Sequence, residues 1–168
     1  MATTESAGID PKEFRRTAGR FLTGVTIATS RASDGAPHGL TANSFTTVSL
    51  TPPLILFCID NRARLLEHFV DTGYFGINIL SEEQQDLSSR FARPNINRFD
   101  GVEWYEGRTG APLFDGSLAT MECKLVQSVQ AGDHLILVGE VVHMGCRDGN
   151  PLAYFGGCYR QVAPLPAS

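Results

Sequence analysis

The stretch GLTANSFTTVSLTPPLILFCID, residues 39–60, has two halves of different character. Residues 39–50 are mostly small or hydroxyl-bearing, whereas residues 54–59 form a continuous apolar run. Pro52 and Pro53 stand between the two halves, and because proline has no amide donor it marks the start of a strand here. The stretch therefore predicts a polar strand, beginning near Pro37, followed by a buried one.

The chain before this stretch predicts a helix and a hairpin. Asp10 followed by Pro11 is a helix-start signal, because the carboxylate can accept a bond from an unpaired amide. We expect the apolar face of this helix to lie across a sheet; its members are Phe14, Ala18, Phe21 and Leu22. Residues 25–30 predict a strand, and the turn sequence at residues 33–35 pairs it with the next one.

The chain after the stretch predicts further short elements. Apolar spacing favours a helix over residues 61–70, and residues 74–80 form a strand pattern. Ser81 with Gln84 resembles a capping box that opens a helix through Ala92. Residues 93–116 are too long for a plain connector and indicate a functional loop. Alternation over residues 119–125 predicts a half-buried strand that pairs with residues 135–144. Six or seven strands in hairpins favour a mainly β, antiparallel barrel.

Composition narrows the possible functions. A chain of 168 residues with 42% apolar and 19% charged residues is typical of one globular domain. We expect a core over residues 12–162, with flexible tails at 1–9 and 163–168. The net charge of −4 disfavours nucleic-acid binding, and no apolar run is long enough to cross a membrane. The four cysteines form no CxxC pair, so the sequence predicts no metal site and a cytoplasmic protein with reduced thiols.

Two polar stretches are candidate ligand contacts. Thr41, Asn43 and Ser44 offer donors and acceptors suited to a heteroaromatic edge, although a solvent-facing strand would look the same. Arg90 and Arg93 follow the Ser81 helix start and could hold a phosphate, although such charges usually solvate a surface helix.

A third candidate is His134, which follows the turn residues Gly132 and Asp133. With Tyr154 and Tyr159 it would form a lip for a nicotinamide ring, although a lone strand histidine is more often structural or exposed. The chain contains no GxGxxG, GxSxG, HExxH or P-loop motif. The sequence therefore gives no support to a Rossmann fold, a hydrolase, a zinc protease or an NTPase, because their signature motifs are absent.

Six segments in order resemble the flavin reductase-like, FMN-binding split-barrel family, and the likeness runs from Phe14 to Gln161. They are FLTGVTIATS, GLTANSFTTVSLTPPLILFCID, FGINILSEEQQDLSSRFA, GAPLFDGSLATMECK, AGDHLILVGEV and PLAYFGGCY. Within the family, the chain looks like the small reductase components of two-component aromatic monooxygenases. The resemblance implies a six-stranded antiparallel split barrel with flanking short helices, and a homodimer with flavin bound near the subunit interface.

The resemblance also implies site residues. His134 matches the histidine that contacts nicotinamide, and the segment through Thr41 matches the flavin-lining strand. The residues expected to bind flavin are Thr41, Ala42, Asn43, Ser44, Cys58, Ile59, Asn61, Ser81, Gln84, Phe91, Ala92 and Arg93. The segment at residues 61–64 departs from the serine-rich form frequent in the family, which leaves the phosphate contact open.

The implied activity is an NAD(P)H:flavin oxidoreductase. It would transfer a hydride from NADH or NADPH to FAD or FMN and supply reduced flavin to a separate oxygenase component. Because the cofactor carries the chemistry, no acid, base or nucleophile of the protein is required. Two alternatives remain: a ferric or other acceptor reductase with tightly bound FMN, and a non-enzymatic flavin-binding carrier or sensor.

Overall fold

The computed structural model describes residues 8–163, so the predicted tails lie almost wholly outside the described residues. The helices are α1 (Pro11–Ala18), α2 (Leu66–Asp71) and α3 (Gln85–Phe91), and a 3-10 helix (Glu82–Gln84) precedes α3. The strands are β1 (Thr23–Gly24), β2 (Thr26–Arg31), β3 (Pro37–Ala42), β4 (Thr46–Leu50), β5 (Pro53–Asp60), β6 (Tyr74–Ile79), β7 (Tyr105–Glu106), β8 (Pro112–Leu113), β9 (Ala119–Ala131), β10 (His134–Cys146), β11 (Ala153–Phe155) and β12 (Cys158–Arg160).

Seven strands form one antiparallel sheet in the order β3-β2-β6-β9-β10-β5-β4. Strand β3, at one edge, also contacts β5 near the other edge, so the sheet curls into an open barrel. This confirms the mainly β, split-barrel prediction; seven strands agree with the six or seven of the hairpin pattern, whereas the family resemblance implies six. The added strand arises because residues 39–50 are not one strand: β3 ends at Ala42 and β4 begins at Thr46.

The predicted hairpins form. At the β2–β3 turn, Asp34 Oδ1 accepts a bond from Ala36 N at 2.9 Å, and Gly35 takes a positive φ of 85°. That φ is costly for residues with a Cβ, which explains the glycine. Strands β9 and β10 pair along their whole length across the turn that contains Gly132. The turn residues therefore set the register that brings His134 to the end of the sheet.

The helix predicted over residues 61–70 is wrong in its first half. The Asp60 carboxylate accepts a bond from Arg62 N at 2.8 Å, and the Asp60 carbonyl accepts one from Ala63 N at 2.9 Å. These bonds hold a turn, so α2 begins only at Leu66. The helix predicted from Ser81 through Ala92 forms as the 3-10 helix followed by α3, with Gln84 Oε1 accepting a bond from Ser81 N at 3.1 Å.

Helix α1 starts as predicted but does not pack as predicted. Asp10 Oδ1 accepts a bond from Lys12 N at 2.9 Å, which caps the helix. No residue of α1 is buried, and the helix stops at Ala18. Phe14, Phe21 and Leu22 are therefore 62%, 77% and 50% exposed and do not lie across the sheet of their own chain.

The core has two clusters, each built around phenylalanines. The first fills the barrel, where Phe57 meets Phe75 edge-on at a centroid distance of 5.3 Å. In the second, Phe91 of α3 meets Phe114 at 5.2 Å. The second cluster fixes α3 against the outer face of the barrel, which positions the loop that follows it. None of the helices within residues 8–163 is long and apolar enough to span a membrane.

The loop over residues 93–116 carries the β7–β8 pair and is anchored to β9. Glu122 of β9 accepts bonds from Thr109 N at 2.5 Å and Thr109 Oγ1 at 2.6 Å. The sequence places Glu122 on the solvent face of its strand, but this loop buries it. Burial alone raises the pKa of Glu122, and the hydrogen bonds from the loop outweigh that effect and hold the pKa below its ordinary value.

Candidate functional site

An open groove of about 1070 Å³ lies along the wall formed by β3, the end of β5, α2 and the loop after α3. Small-molecule sites span roughly 300–1,000 Å³, so the groove is large enough for a nucleotide. Four of the predicted binding residues line it: Thr41, Ile59, Phe91 and Ala92. The structure thus brings together one residue from each of β3, β5 and α3, and the residue that directly follows α3.

The chemistry of the walls fits an aromatic ligand that carries negative charge. Leu40, Ile59, Phe99 and Trp104 supply apolar and aromatic surface. Gly39 lets β3 pack closely against Phe91, because a Cβ at position 39 would stand 3.0 Å from Phe91 Cε1. Three arginines and two aspartates are the fully charged residues of the lining: Arg62, Arg64, Arg98, Asp60 and Asp100. A flavin nucleotide meets both requirements.

The segment from Thr41 to Ser44 covers the end of β3 and the start of the turn that leads to β4. Ser44 Oγ accepts a bond from Cys58 N at 2.9 Å. This bond links the turn after β3 to β5. Thr41 Oγ1 donates to Ser88 O at 2.6 Å, so this hydroxyl holds α3. Ala42 is buried and Asn43 is exposed at the turn. Of these four residues, Thr41 lines the groove.

Tyr154 and Tyr159 stand behind α3. Their rings meet edge-on at 5.4 Å, and Tyr159 Oη lies 2.8 Å from Ser88 Oγ. Both tyrosines pack against the second core cluster and are not among the groove-lining residues. The contacts of the two tyrosines support α3, and the lip that they would share with His134 stays a prediction.

His134 lies beside one end of the groove. It pairs across the sheet with Asp60, which lines the groove, and Asn61 N donates to Asp133 O at 3.0 Å. His134 Nδ1 is 2.7 Å from Asp133 Oδ1, so the other ring nitrogen, Nε2, is left for a ligand. Hydrogen bonds from the Arg62 side chain and backbone hold the pKa of Asp60 well below its usual range, with His134 adding to the effect.

Ser81 and Gln84 lie outside the large groove. Gln84 Nε2 donates to Asp115 O at 3.0 Å, which ties the 3-10 helix to the long loop. Ser81 is buried and lines a small cavity of about 170 Å³ together with Arg147 and Asn150. Neither Ser81 nor Gln84 is among the residues that line the groove with Thr41 and Ile59, and their flavin contacts stay a prediction.

Arg90, one of the two arginines suggested for phosphate, has another partner. Its guanidinium donates to the carbonyls of Arg98 at 2.7 Å and of Asp100 at 2.5 Å, so it pins the loop. Arg93 is exposed and does not line the groove, although its neighbours Ala92 and Pro94 do. Arg90 is also not among the residues that line the groove, so the structure gives no support to a phosphate contact by Arg90.

Sequence reasoning missed several polar residues that the fold brings into the groove, among them His38, His68 and Arg98. Arg98 Nη1 donates to Gly39 O at 2.7 Å, which fastens the loop against β3. His38 directly precedes the segment that contains Thr41, which is the one local signal available for it. His68 and Arg98 are distant in sequence and have none.

The chain resembles characterised proteins over most of its length. Residues 18–163 match the flavin reductase like domain. The chain is 45% identical over 150 residues to a probable flavin reductase of Rhizobium meliloti, which covers 89% of this chain and 48% of that protein. It is 39% identical over 157 residues to the reductase subunit of a flavin-dependent monooxygenase of Rhodococcus jostii, covering 93% and 80%.

A solved structure agrees. The NADH:FAD oxidoreductase of Streptomyces globisporus, in complex with NAD and FAD fragments, superposes with a TM-score of 0.88 at 36% identity. That alignment covers 96% of this chain and 100% of the other. The chain spans about half the length of two of the curated relatives it matches. The match over residues 18–163, together with these identities, shows that the chain belongs to the flavin reductase like domain family.

Proposed function

We propose that this protein is an NAD(P)H:flavin oxidoreductase that transfers a hydride from NAD(P)H to FAD or FMN. The observation that carries the proposal is the open groove with aromatic walls and cationic side chains, in a chain of this family. The names of the relatives support it, since they include an FMN reductase that uses NADH and an NADH:FAD oxidoreductase. We further propose that reduced flavin passes to a separate oxygenase, as the names of reductase subunits among the relatives suggest.

Bound flavin would supply the hydride-accepting chemistry, so the protein has to bind and orient the reactants. We propose that the polar groups of the Thr41–Ser44 segment face the polar edge of the flavin ring. Ile59 and Phe91 would provide apolar contacts from the groove wall. His134, at the end of the groove, would position the nicotinamide. Cys58, Asn61, Ser81 and Gln84 remain proposed flavin contacts on the resemblance alone.

The test is an anaerobic NADH oxidation assay with no flavin, with riboflavin, with FMN and with FAD. We expect oxidation only when flavin is added, with reduced flavin released into solution. The purified protein should also be pale, because an open groove holds flavin weakly. Failure to oxidise NADH or NADPH with any flavin would contradict the proposal and favour a carrier or sensor. Turnover that depends on flavin retained through purification would favour an acceptor reductase.

We also propose that the protein is a homodimer. Phe14, Phe21 and Leu22 form an exposed apolar surface on the N-terminal segment, and Leu50 is exposed on the edge strand β4. Uncovered edge strands and apolar patches are commonly buried by association with a second copy. We expect light scattering at micromolar concentration to report twice the mass of the chain. A monomer at that concentration would contradict the dimer.

Within this proposal, residues 12–162 form one domain, and the protein acts in the cytoplasm. One seven-stranded sheet with two core clusters supports the single domain. The four cysteines are free, which is consistent with a reducing compartment. Burial and the neighbouring Glu122 carboxylate raise the pKa of Cys123 to about 12, so that thiol is unreactive at neutral pH.

Arg93 offers a test of the phosphate contact. If its guanidinium holds the flavin phosphate, Arg93→Ala should raise the Kd for FMN by about 10- to 100-fold, the loss of one charged hydrogen bond. Riboflavin has no phosphate, so its Kd should change little. Fluorescence titration measures both constants, with Lys124→Ala as a control at an exposed cation on β9. An equal loss of affinity for riboflavin and FMN would show that Arg93 is a solvent-exposed charge that does not contact the phosphate.

A further inference from the structure

Two histidines stack against each other in the wall of the groove. The imidazole of His38, on β3, and that of His68, on α2, have ring centroids 4.1 Å apart and an interplanar angle of 27°. Both residues line the groove and both are half-buried. Within residues 8–163, neither ring makes a hydrogen bond to another protein group, so the ring nitrogens are available to a ligand.

The backbone holds this pair in place. Ser30 is fully buried, and its Oγ donates to the carbonyl of His68 at 2.7 Å. In the β2–β3 register Ser30 is also the direct partner of His38. One buried serine therefore fixes α2 against the strand beside the one that carries His38. The two rings face each other because of this arrangement.

The surroundings of His38 favour an anion. Burial lowers the pKa of His38, and the adjacent His68 and Arg98 lower it further, whereas Asp34 acts in the opposite direction. His38 is therefore neutral near pH 7 in the free protein. An anion bound between the rings and Arg98 would reverse this balance, because an imidazolium donates from both nitrogens and attracts negative charge.

We propose that the His38–His68 pair, with Arg98 beside it, binds the phosphate groups of a dinucleotide in the groove and takes up a proton on binding. This inference rests on the proposed function, because both FAD and NAD(P)H carry the required diphosphate. The ligand chemistry is a phosphate ester next to an aromatic base. The experiment below measures FAD and NADH separately and thereby shows which nucleotide provides the diphosphate.

The proposed proton uptake fixes the direction in which the ligand affinity changes with pH. A proton taken up on binding makes the ligand bind more tightly at low pH, and the affinity falls as pH rises through the pKa of His38 in the complex. One linked proton gives at most about a tenfold change in Kd for each pH unit. Histidine has an ordinary pKa of about 6.5, so the window from pH 5.5 to 8.5 contains the effect.

The experiment measures the Kd of the whole protein for FAD and for riboflavin across this window, together with the KM for NADH at saturating riboflavin. Riboflavin carries no phosphate and should bind independently of pH. We expect the FAD affinity to fall as pH rises if the pair binds the flavin diphosphate. We expect the NADH KM to rise instead if the pair binds the nicotinamide dinucleotide. FMN is the less informative ligand, since its own phosphate titrates near pH 6.

Variants identify the group that titrates. His38→Phe and His68→Phe keep an aromatic ring in the stack but cannot bind a proton, so each should flatten the pH dependence and raise the affected constant about tenfold at pH 6. His143→Phe is the matched control, because His143 lies on β10 and does not line the groove. Thermal melting of each variant shows whether the fold is intact, and His68→Gln serves if the phenylalanine variant unfolds.

The outcomes separate this inference from the proposed function. A pH dependence that survives in both phenylalanine variants, or that is equal for riboflavin, would overturn the phosphate subsite while leaving reductase activity intact. Proton-linked FAD binding in a protein that oxidises no NADH or NADPH would support the subsite and overturn the reductase. Constants for FAD and NADH that do not vary with pH in the wild-type protein would also overturn the subsite.

Discussion

Phe75→Ala is expected to lower the free energy of unfolding by about 3–5 kcal/mol, the usual cost of removing a buried aromatic ring. Phe75 lies on β6 with no exposed surface. Its ring meets Phe57 edge-on at 5.3 Å and lies 6.3 Å from Phe69, so its loss would leave a cavity at the centre of the barrel. Urea unfolding followed by circular dichroism measures the change. Tyr74→Ala is the control, because Tyr74 is 40% exposed on the same strand.

Gly139 provides a reciprocal test of this packing. A Cβ at Gly139 would clash with Phe75 Cζ and would stand 2.9 Å from Cys123 Cβ. Gly139→Ala should therefore cost about 1–3 kcal/mol through overpacking. The double variant should be less destabilised than the sum of the two, because removal of the ring makes room for the methyl group. Strict additivity, or a loss below about 1 kcal/mol for Phe75→Ala, would contradict the packing described.

The barrel could be predicted from sequence where local signals and tertiary contacts agree. The Asp34 and Gly35 turn, the apolar run of β5 and the alternation in β9 each specify a strand or a hairpin without long-range information. The strands that the sequence predicted correctly are therefore those with clear turn residues or a clear apolar pattern. Their order in the sheet follows from pairing that single-sequence patterns do not encode.

Two mistaken predictions are explained by hydrogen bonds to carboxylate side chains, one local and one between distant residues. Residues 61–65 have helical spacing, but the Asp60 carboxylate accepts a bond from Arg62 N and the Asp60 carbonyl accepts one from Ala63 N, which holds a turn. Glu122 looks solvent-facing by alternation, but Thr109 arrives from a loop and buries it with two hydrogen bonds. In both cases a side chain bonds to the backbone in a way that a hydrophobic pattern cannot reveal.

Part of the candidate site could be predicted, because some of its residues lie in segments with a strong local pattern. Thr41, Ile59 and Phe91 are in segments with strong local character, and they line the groove. His38, His68 and Arg98 come from β3, α2 and a loop, and only the fold brings them together. Tyr154 and Tyr159 show the opposite effect: they are near each other in sequence and in space, but they stand behind α3.

His134→Ala is expected to lower kcat/KM for NADH by about 100-fold while leaving flavin affinity unchanged. A small misplacement of reacting atoms costs on the order of 100-fold in rate, and we propose that His134 positions the hydride donor. Its Nδ1 is engaged with Asp133 at 2.7 Å, so Nε2 is the atom left to bond the nicotinamide carboxamide. Steady-state kinetics and flavin titration on the same preparation measure the two quantities.

The position of His134 makes these two measurements separable. It lies at the β9–β10 turn and pairs with Asp60 at the end of the groove, whereas Thr41 and Phe91 line the wall farther along β3 and α3. No proton transfer is assigned to His134, because hydride passes directly between the rings. His134→Gln retains a side-chain donor and should therefore recover part of the activity. Unchanged NADH kinetics, or lost flavin affinity with intact use of NADH, would remove His134 from the nicotinamide site.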